Sequence, residues 1–365
     1  MLYTQMHELK NILSLTDAQV EELKQVADRF PMMIGTYYLS LIDQTNPDDP
    51  IRKMAIPSLA ELSKDGRFDT SGEADNTPIP GLQHKYRETA LILVTDQCAM
   101  YCRHCFRKRL VGLASKEVAS HWQEIVTYIQ NHSEISNVIL SGGDALMADD
   151  EALVQFLDAL TQIDHIDLIR IATRTPVTFP ERILQDTALL AQLAHFGKRK
   201  QLYVVTQFNH PHEVTAQSTA AIKALLHAGC IARNQMVLLK GVNDDPAVIT
   251  SLFRALTGIG CMPYYVFQCR PVTGVQNHFQ VPLWEGLEIV ERAKASQNGM
   301  AKAFKYCMSH TTGKLEILGG SGSTDMLLRY HEAKDPSLYG KLLRVPLEKD
   351  ACWLPDNFDA STVLL

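Results

Sequence analysis

Six apolar, β-branched runs recur along the chain, and amphipathic segments of helix length lie between them. The runs occupy residues 90–96, 137–141, 166–173, 202–207, 232–239 and 263–268. The segments between them lie near residues 115–131, 150–163, 180–197, 213–228 and 246–257. A strand followed by a helix, repeated along a chain, indicates parallel βαβ units. We therefore predict an α/β fold in which six strands form an open, partial (β/α)6 barrel with one active face.

The regions on either side of these units lack the alternation. Residues 1–85 look mainly helical, because Thr16 and Gln19 have the spacing of a capping box before an amphipathic segment. Residues 58–66 end in a glycine, as many helices do. Residues 67–82 are rich in turn-forming residues and predict a loop. We predict an N-terminal mainly helical region (1–85), a barrel core (86–275) and a C-terminal region (276–365).

Composition and charge exclude several classes of protein. The 365 residues are 46% apolar and 21% charged, which is typical of a soluble globular protein. The formal net charge is −6 and no basic run is interleaved with aromatic residues, so we expect no nucleic-acid partner. The N-terminus lacks the pattern of a signal peptide, and no run of about 18 apolar residues occurs. We therefore expect a cytoplasmic protein without a membrane partner.

Polar residues of unusual type follow the predicted strands at the point where each strand ends. In a barrel of parallel strands, the working residues lie at the carboxyl ends of the strands. The sequence therefore predicts one active site at this edge, built from residues Cys98, 141–144, Arg174, 207–210, Cys269 and Arg270.

Cys98, Cys102 and Cys105 form a CxxxCxxC motif after the first predicted strand. A structural zinc site usually has four ligands, and the other five cysteines are scattered along the chain. Eight cysteines are too few for a disulfide scaffold in so long a chain, and in a reducing compartment they favour metal or catalytic use. Three thiolates can hold a four-iron cluster and leave one iron open for a substrate. This reading is favoured over a zinc site or inert buried thiols.

The cysteine motif, with Tyr101 before Cys102, resembles the radical S-adenosylmethionine (SAM) superfamily. The resemblance implies a [4Fe-4S] cluster whose open iron binds the amine and carboxylate of SAM. One βα unit later, the strand at 137–141 runs into Gly142 and Gly143, which permit close backbone approach to a ligand. A bare turn is the alternative for this glycine pair.

The superfamily resemblance also gives roles to residues near later strand ends. It implies that Gly142, Gly143 and Asp144 form the motif that contacts the SAM amino group. Gln235 and His210 are further candidates for binding SAM, with hydrogen bonding inside the core as the alternative.

A closer resemblance extends over about residues 35–320. Residues 37–58 and several later motifs resemble the lysine 2,3-aminomutase family: QCAMYCRHCFRKR (97–109), LSGGDAL (140–146), ATRTPV (172–177), FNHPHEVT (208–215), NQMVLLKGVND (234–244) and PYYVFQC (263–269). The resemblance implies an isomerase that uses pyridoxal 5'-phosphate (PLP) besides the cluster and SAM. A 5'-deoxyadenosyl radical would remove a β-hydrogen from an amino acid held on PLP, and the α-amino group would move to the β-carbon. A reducing electron-donor protein and, by analogy, a homo-oligomer are expected as partners.

Lys314, in SHTTGKLEILGG, matches the family lysine that forms the Schiff base with PLP. The family has a run of glycines before this lysine, whereas only Gly313 precedes it here. Lys85, in HKYRET, matches a basic residue that contacts the PLP phosphate, with Arg87 less certain. Residues 319–323 are candidates for further phosphate donors, or form a flexible turn. An ordinary surface lysine is the alternative for Lys314.

Three residues bear on the substrate. Arg107 matches the family arginine that binds the substrate α-carboxylate, and a surface basic run is its alternative. Arg270 and Cys307 stand where lysine-specific members carry aspartates for the distal ammonium. A buried cation facing that ammonium would cost several kcal/mol, so free lysine is disfavoured and an acidic or neutral amino acid such as glutamate is favoured. Arg270 could instead pair with an internal carboxylate such as Glu316.

Two other functions stay open at this point. The first is a PLP-independent radical SAM enzyme on the same scaffold that acts on another substrate, such as a peptide side chain. The second is a non-catalytic iron-sulfur protein that carries electrons or acts as a sensor.

Overall fold

A computed structural model describes residues 1–112, 117–118, 121–322, 324–355 and 357–359. The described residues form the following strands: β1 (Leu2–Tyr3), β2 (Ile34–Gly35), β3 (Leu82–Tyr86), β4 (Thr89–Thr95), β5 (Asn137–Gly142), β6 (Leu168–Ala172), β7 (Gln201–Thr206), β8 (Ile231–Leu238), β9 (Met262–Gln268), β10 (Lys305–His310), β11 (Gly313–Ser321), β12 (Asp325–Ala333) and β13 (Leu342–Pro346). They also form these helices: α1 (Asp17–Arg29), α2 (Thr36–Leu39), α3 (Pro50–Ala55), α4 (Trp122–Asn131), α5 (Asp150–Thr161), α6 (Thr175–Thr178), α7 (Glu181–Leu184), α8 (Thr187–Gly197), α9 (Ala216–His227), α10 (Pro246–Gly258), α11 (Gln276–Phe279) and α12 (Leu283–Ala295).

One mixed sheet contains the strands from β3 to β13 in the order in which they occur along the chain. The strands from β4 to β10 are all parallel to their neighbours, while β3 and the strands from β11 to β13 extend the two edges in antiparallel fashion. Parallel neighbours in chain order, joined by helices, give the strand order that a partial barrel requires. The α/β fold class is confirmed, and β10 adds a seventh parallel strand to the six predicted ones.

The helices cover one face of this sheet. Apolar side chains at alternate strand positions, such as Ile92, Leu140 and Ile171, pack with Ile129 of α4 and Leu157 of α5. Alternate residues of a strand point to opposite faces of its sheet. We call the other face of the sheet the inner face, and it carries the polar residues of strands β8, β10 and β11.

Most predicted helices occur, with shifts where local capping intervenes. Thr16 caps α1 as predicted, since its side chain accepts a hydrogen bond from the Gln19 amide and Gln19 bonds back to the Thr16 amide. The segment 180–197 divides into α7 and α8, because the Asp186 side chain caps a new helix at the Leu189 amide. The predicted helix at 58–66 is only a 3-10 turn, Leu59–Leu62. The segment 115–131 is helical from Trp122, and residues 115–116 and 119–120 lie outside the described ranges.

The N-terminal region packs into the same apolar cluster as the second half of the sheet. Met6, Ile34 and Tyr38 belong to a buried cluster that also includes Met236 of β8 and Leu328 of β12. Within the described ranges, no helix is both long enough and apolar enough to cross a lipid bilayer.

Candidate active site

The loop that carries the three cysteines follows β4, and the Gly-Gly-Asp segment after β5 docks against it. The Gly143 amide donates to the Thr95 carbonyl at 2.7 Å, and the Asp144 amide donates to the Gln97 carbonyl at 2.8 Å. A Cβ atom on Gly142 would lie 2.1 Å from the Thr95 oxygen, and one on Gly143 would lie 2.2 Å from the Gln97 oxygen. The two glycines are therefore required for the contact between the loops, beyond any contact with a ligand.

Cys98, Cys102 and Cys105 lie close enough to influence one another. Burial raises the pKa of Cys98 well above its usual value, and Asp144, Cys105 and Cys102 raise it further. Burial, with the neighbouring Cys102, raises the pKa of Cys105 to about 11. Among the described residues, no group of three or more His, Cys, Asp or Glu is arranged around a single metal ion. A four-iron cluster differs because each thiolate binds a different iron, so three neighbouring free thiols in one loop fit the cluster.

A buried arginine lies beside this cysteine loop. Arg174 directs Nη1 to the Cys102 sulfur at 2.7 Å and Nη2 to Oε1 of Glu213 at 2.5 Å. Tyr38 donates its hydroxyl to the same carboxylate oxygen at 2.6 Å. Glu213 and Tyr38 thus fix a positive charge next to the Cys102 sulfur.

A second buried network ties the cysteine loop to the N-terminal region. Arg103, between two of the cysteines, is 1% exposed and bonds to fully buried Glu61 at 2.6 Å. Lys108 bonds to the same carboxylate at 2.6 Å. The Arg103 amide also donates to the Met54 carbonyl at 2.8 Å. The N-terminal region therefore supports the loop that would hold the cluster.

The candidate residues for binding SAM differ in how many hydrogen bonds they already make within the protein. Asp144 is buried and accepts bonds from the Leu146 amide, the Thr173 hydroxyl and the Arg174 amide. These bonds hold the Asp144 carboxylate in place.

His210 and Gln235 complete this set of candidates. The His210 side chain accepts a bond from the His212 amide and caps a 3-10 turn, and burial lowers its pKa to about 4. Gln235 is half-buried on the inner face of β8, and its side-chain amide makes no hydrogen bond to a described residue.

Lys314 lies at the start of β11 on the inner face and is 8% exposed. Its Nζ donates to Oε2 of Glu332 at 2.8 Å. The same atom lies 4.7 Å from the centre of the Tyr265 ring and 5.7 Å from that of Tyr86. Lys314 is therefore not an ordinary surface lysine, and its amine lies near two aromatic rings.

Lys85, on β3, lies near Lys314. Its Nζ donates to the Ser71 and His310 carbonyls at 3.1 and 2.6 Å. Burial lowers the pKa of Lys85 to about 7, and nearby cations, with Arg270 first, lower it further. Several cations close together with few acids form a place for an anionic group such as a phosphate.

The glycine-rich segment does not lie beside Lys314. Gly319 and Gly320 belong to β11 and pair with Leu327 and Met326 of β12. At about 3.3 Å per residue, Gly319 is roughly 17 Å along the strand from Lys314. The strand pairing gives no support to phosphate donors at 319–322, which stay a prediction, and Ser323 lies outside the described residues.

Arg107 is buried at the carboxyl end of β5. Its Nε bonds to Oε1 of Glu73 at 3.2 Å, and its Nη1 bonds to the Ser141 hydroxyl at 3.1 Å. Arg109 holds the other oxygen of Glu73 at 2.6 Å. Arg107 is therefore a fixed interior cation, contrary to the alternative of a surface basic run, and its Nη2 makes no hydrogen bond to a described residue.

Arg270, which follows β9, differs from the other arginines of the site. Its guanidinium lies 4.4 Å from the centre of the Phe106 ring, and its Nη1 is buried without a hydrogen-bond partner among the described residues. Burial lowers the pKa of Arg270, which marks a cation short of compensating charge. Glu316 is not its partner, since that carboxylate pairs with Lys305 at 2.9 Å and Arg329 at 2.5 Å.

Cys307 is fully buried on β10, one strand from Lys314. Burial raises its pKa to about 12, so the thiol is neutral at physiological pH. The structure thus brings Lys85, Arg107, Arg270, Cys307 and Lys314 to one side of the sheet. Sequence reasoning missed Tyr86, Tyr265 and Glu332, although the two tyrosines stand inside the HKYRET and PYYVFQC motifs.

No model of a known protein family matches the chain. A putative L-lysine 2,3-aminomutase of Aquifex aeolicus is 41% identical, over 96% of this chain and 93% of that protein. The L-lysine 2,3-aminomutase of Clostridium subterminale is 38% identical over 88% of this chain and 75% of its own length. The glutamate 2,3-aminomutase of Clostridioides difficile is also 38% identical, over 82% of this chain and 70% of its own length.

Among solved structures, a radical SAM methyltransferase from Sphaerobacter thermophilus aligns with a TM-score of 0.42 and 16% identity, over 62% of this chain and 68% of that one. The matches to the aminomutase sequences have higher identity and cover more of this chain than the match to this structure. On their identity and coverage, the chain belongs to the lysine 2,3-aminomutase family of radical SAM enzymes.

Proposed function

We propose that this protein is a PLP-dependent radical SAM 2,3-aminomutase whose substrate is an acidic amino acid, with glutamate as the first candidate. Family membership supports the reaction type. The lysine enzyme of Clostridium subterminale and the glutamate enzyme of Clostridioides difficile match at the same 38% identity, and a relative named as a putative lysine enzyme matches at 41%. The substrate therefore has to be argued from the residues of this chain.

The observation that carries the substrate proposal is the unpartnered nitrogen of Arg270. A buried guanidinium that lacks a partner is costly, and a carboxylate is the group that best satisfies it. Cys307, at the other position that would contact a substrate ammonium, is neutral because burial raises its pKa to about 12. A lysine side chain would meet a cation and a neutral thiol, whereas an acidic side chain would meet a compensating charge.

An acidic amino acid has two carboxylates, and two arginines stand close together to receive them. The Arg107 and Arg270 guanidinium groups lie 4.6 and 4.4 Å from the centre of the same Phe106 ring. Arg107 would bind the α-carboxylate through its Nη2, and Arg270 would bind the side-chain carboxylate. Glu73 lies near both, which limits the repulsion between them.

The residues that would hold the cofactors are those placed around the same face. Cys98, Cys102 and Cys105 would hold the cluster, Lys314 would hold PLP between two tyrosine rings, and Lys85 would contact its phosphate. When bound, the cluster and SAM supply the radical that removes the β-hydrogen, and PLP carries the amino group during its migration. A reducing protein partner, a homo-oligomer and the division at residues 85 and 275 belong to this proposal too.

The test is turnover of labelled amino acids by the anaerobically reconstituted protein. Carbon-13 NMR with glutamate and lysine should show β-glutamate and little β-lysine. Arg270→Gln should lower turnover of the acidic substrate by about 100-fold or more, because the carboxylate loses its charged partner. Arg329→Gln, an inner-face arginine that pairs with Glu316, is the matched control.

Two results would contradict the substrate proposal: faster turnover of lysine than of glutamate, or an unchanged rate in Arg270→Gln. SAM cleavage without turnover of any amino acid would favour the PLP-independent alternative. An intact cluster without SAM cleavage would favour the non-catalytic one.

A further inference from the structure

Lys314 and Glu332 face each other across β11 and β12 because the ladder contains a bulge. Lys314 lies opposite Glu332, whereas the next residue, Leu315, lies opposite Tyr330. His331 is therefore the extra residue, and a regular register continued from Leu315 and Tyr330 would place His331 opposite Lys314. A bulge re-aims side chains, and here it turns a carboxylate toward the amine of the candidate PLP lysine.

The contact is short and largely sheltered from solvent. Nζ of Lys314 and Oε2 of Glu332 are 2.8 Å apart, and the two side chains are 10% and 20% exposed. Burial would raise the pKa of Glu332, but the charge of Lys314 and its hydrogen bond hold that pKa below its usual value. Glu332 is thus an anion fixed beside the lysine.

Glu316, two residues along β11, is held by Lys305 and Arg329, and the other titratable groups near Lys314 are not anions at neutral pH. Burial raises the pKa of Cys307 to about 12 and also raises the pKa values of Tyr86 and Tyr265. Lys85 is basic, and burial lowers the pKa of His331. Glu332 therefore has no rival among these neighbours as the carboxylate that holds Lys314.

The number of N–H donors on Lys314 depends on whether it carries PLP. On bonding to PLP, the Lys314 ammonium gives up two hydrogens, which leave with the aldehyde oxygen as water, and a C=N double bond forms at Nζ. On release, Lys314 leaves that double bond to the substrate nitrogen and takes two hydrogens from the substrate ammonium. The released lysine thus has three donors and the attached one at most one, so a carboxylate 2.8 Å away binds the released form more strongly.

We propose that Glu332 is a positioning residue that captures the released ammonium of Lys314 and so favours transfer of PLP from the enzyme to the substrate. This inference rests on the proposed PLP dependence. In this role Glu332 sets how readily Lys314 releases PLP, and it does so without contacting the reacting carbon atoms.

The test is displacement of Lys314 by ethylamine, a probe that does not need the substrate arginines. The full-length protein is loaded with PLP without SAM, titrated with ethylamine at fixed pH, and trapped with borohydride. Peptide mapping then gives the fraction of PLP on Lys314. Glu332→Gln should need about tenfold more ethylamine than the wild type for half-displacement, because a neutral amide holds the ammonium less strongly.

Two variants make this test selective. Glu316→Gln removes an inner-face carboxylate that pairs with Lys305 and Arg329, and it should behave as the wild type. Glu332→Asp keeps the negative charge but places it farther from Nζ of Lys314. It should raise the ethylamine concentration for half-displacement by a smaller factor, about threefold. It also serves as the test if Glu332→Gln does not fold.

The failures of the two proposals are distinguishable. If the wild type carries PLP on Lys314 but ethylamine displaces Lys314 equally well in the Glu332 variants and the wild type, the role of Glu332 is wrong and PLP dependence stands. If the wild type carries no PLP on Lys314, the proposed function fails and the role of Glu332 fails with it.

Discussion

Two residues, Arg270 and Cys307, carry the proposal that the substrate is an acidic amino acid and not lysine. Arg270 and Cys307 could be placed from sequence by their spacing from matching motifs, since Arg270 follows PYYVFQC and Cys307 stands seven residues before Lys314. The structure adds that Glu316 is not the partner of Arg270. Glu332 could not be found from sequence, because its pairing with Lys314 depends on a bulge between two strands. Cross-strand partners with an irregular register leave no spacing signal in the chain.

Lys85 gives a prediction about pH at this scale. Burial lowers its pKa to about 7, so Lys85 is charged below that pH and mostly neutral above it. A phosphate binds more strongly to the charged form. PLP affinity should therefore fall as pH rises through 7, by roughly tenfold between pH 7 and 8.5.

The measurement is a spectroscopic titration of the protein with PLP across this pH range. Lys85→Gln should bind PLP more weakly at pH 6 and lose the decline above pH 7. The same decline in Lys85→Gln would assign the pH dependence to another group.

At the scale of elements, the six predicted strands are confirmed because each contains the buried apolar residues typical of a parallel sheet, even β8, which also carries Arg233, Asn234 and Gln235. Strands β10 to β12 escaped prediction because their inner-face positions carry Lys305, Lys314 and Glu316, which break the apolar pattern. The strand at Gly319 and Gly320 also escaped prediction. Glycine signals freedom of the backbone, and only the strand pairing shows that here it makes room for Trp284 at Gly320.

The close contact between the glycine pair and the cysteine loop gives a second prediction. Gly143→Ala places a Cβ 2.2 Å from the Gln97 oxygen, so the loop before Cys98 has to move. The reconstituted variant should hold less than half the iron of the wild type, measured by iron analysis and absorbance. Gly258→Ala, where a Cβ meets nothing within 4 Å, should hold as much as the wild type. Full iron content in Gly143→Ala would show that the loops tolerate separation.

At the scale of the whole molecule, the N-terminal region and the cysteine loop depend on each other through buried charges. Arg103 and Lys108 both bind Glu61, which is fully buried. The sequence predicted a loop at 67–82 and helical structure before it. It did not predict that a carboxylate of the 3-10 turn at 59–62 would bind two side chains of the cysteine loop. Contacts between distant parts of a chain depend on the fold rather than on local pattern.

Breaking this network should therefore destabilise the protein strongly. Glu61→Gln leaves two buried cations without their anion, and the free energy of unfolding should fall by about 3–5 kcal/mol. Denaturant unfolding of the protein without its cluster measures the change. Asp17→Asn removes an exposed partner of Lys10 and should change the unfolding free energy by less than about 1 kcal/mol. Equal effects of the two substitutions would contradict a structural role for the buried network.

The central claim, that this enzyme carries PLP on Lys314, is tested most directly by trapping. The protein is purified anaerobically with added PLP, reduced with borohydride and mapped by peptide mass. We predict a pyridoxyl adduct on Lys314 in the wild type and in Lys305→Arg, where the replaced lysine pairs with Glu316, and no such adduct in Lys314→Arg. An adduct on Lys85 instead, or an intact cluster that cleaves SAM while Lys314 stays unmodified, would contradict the account.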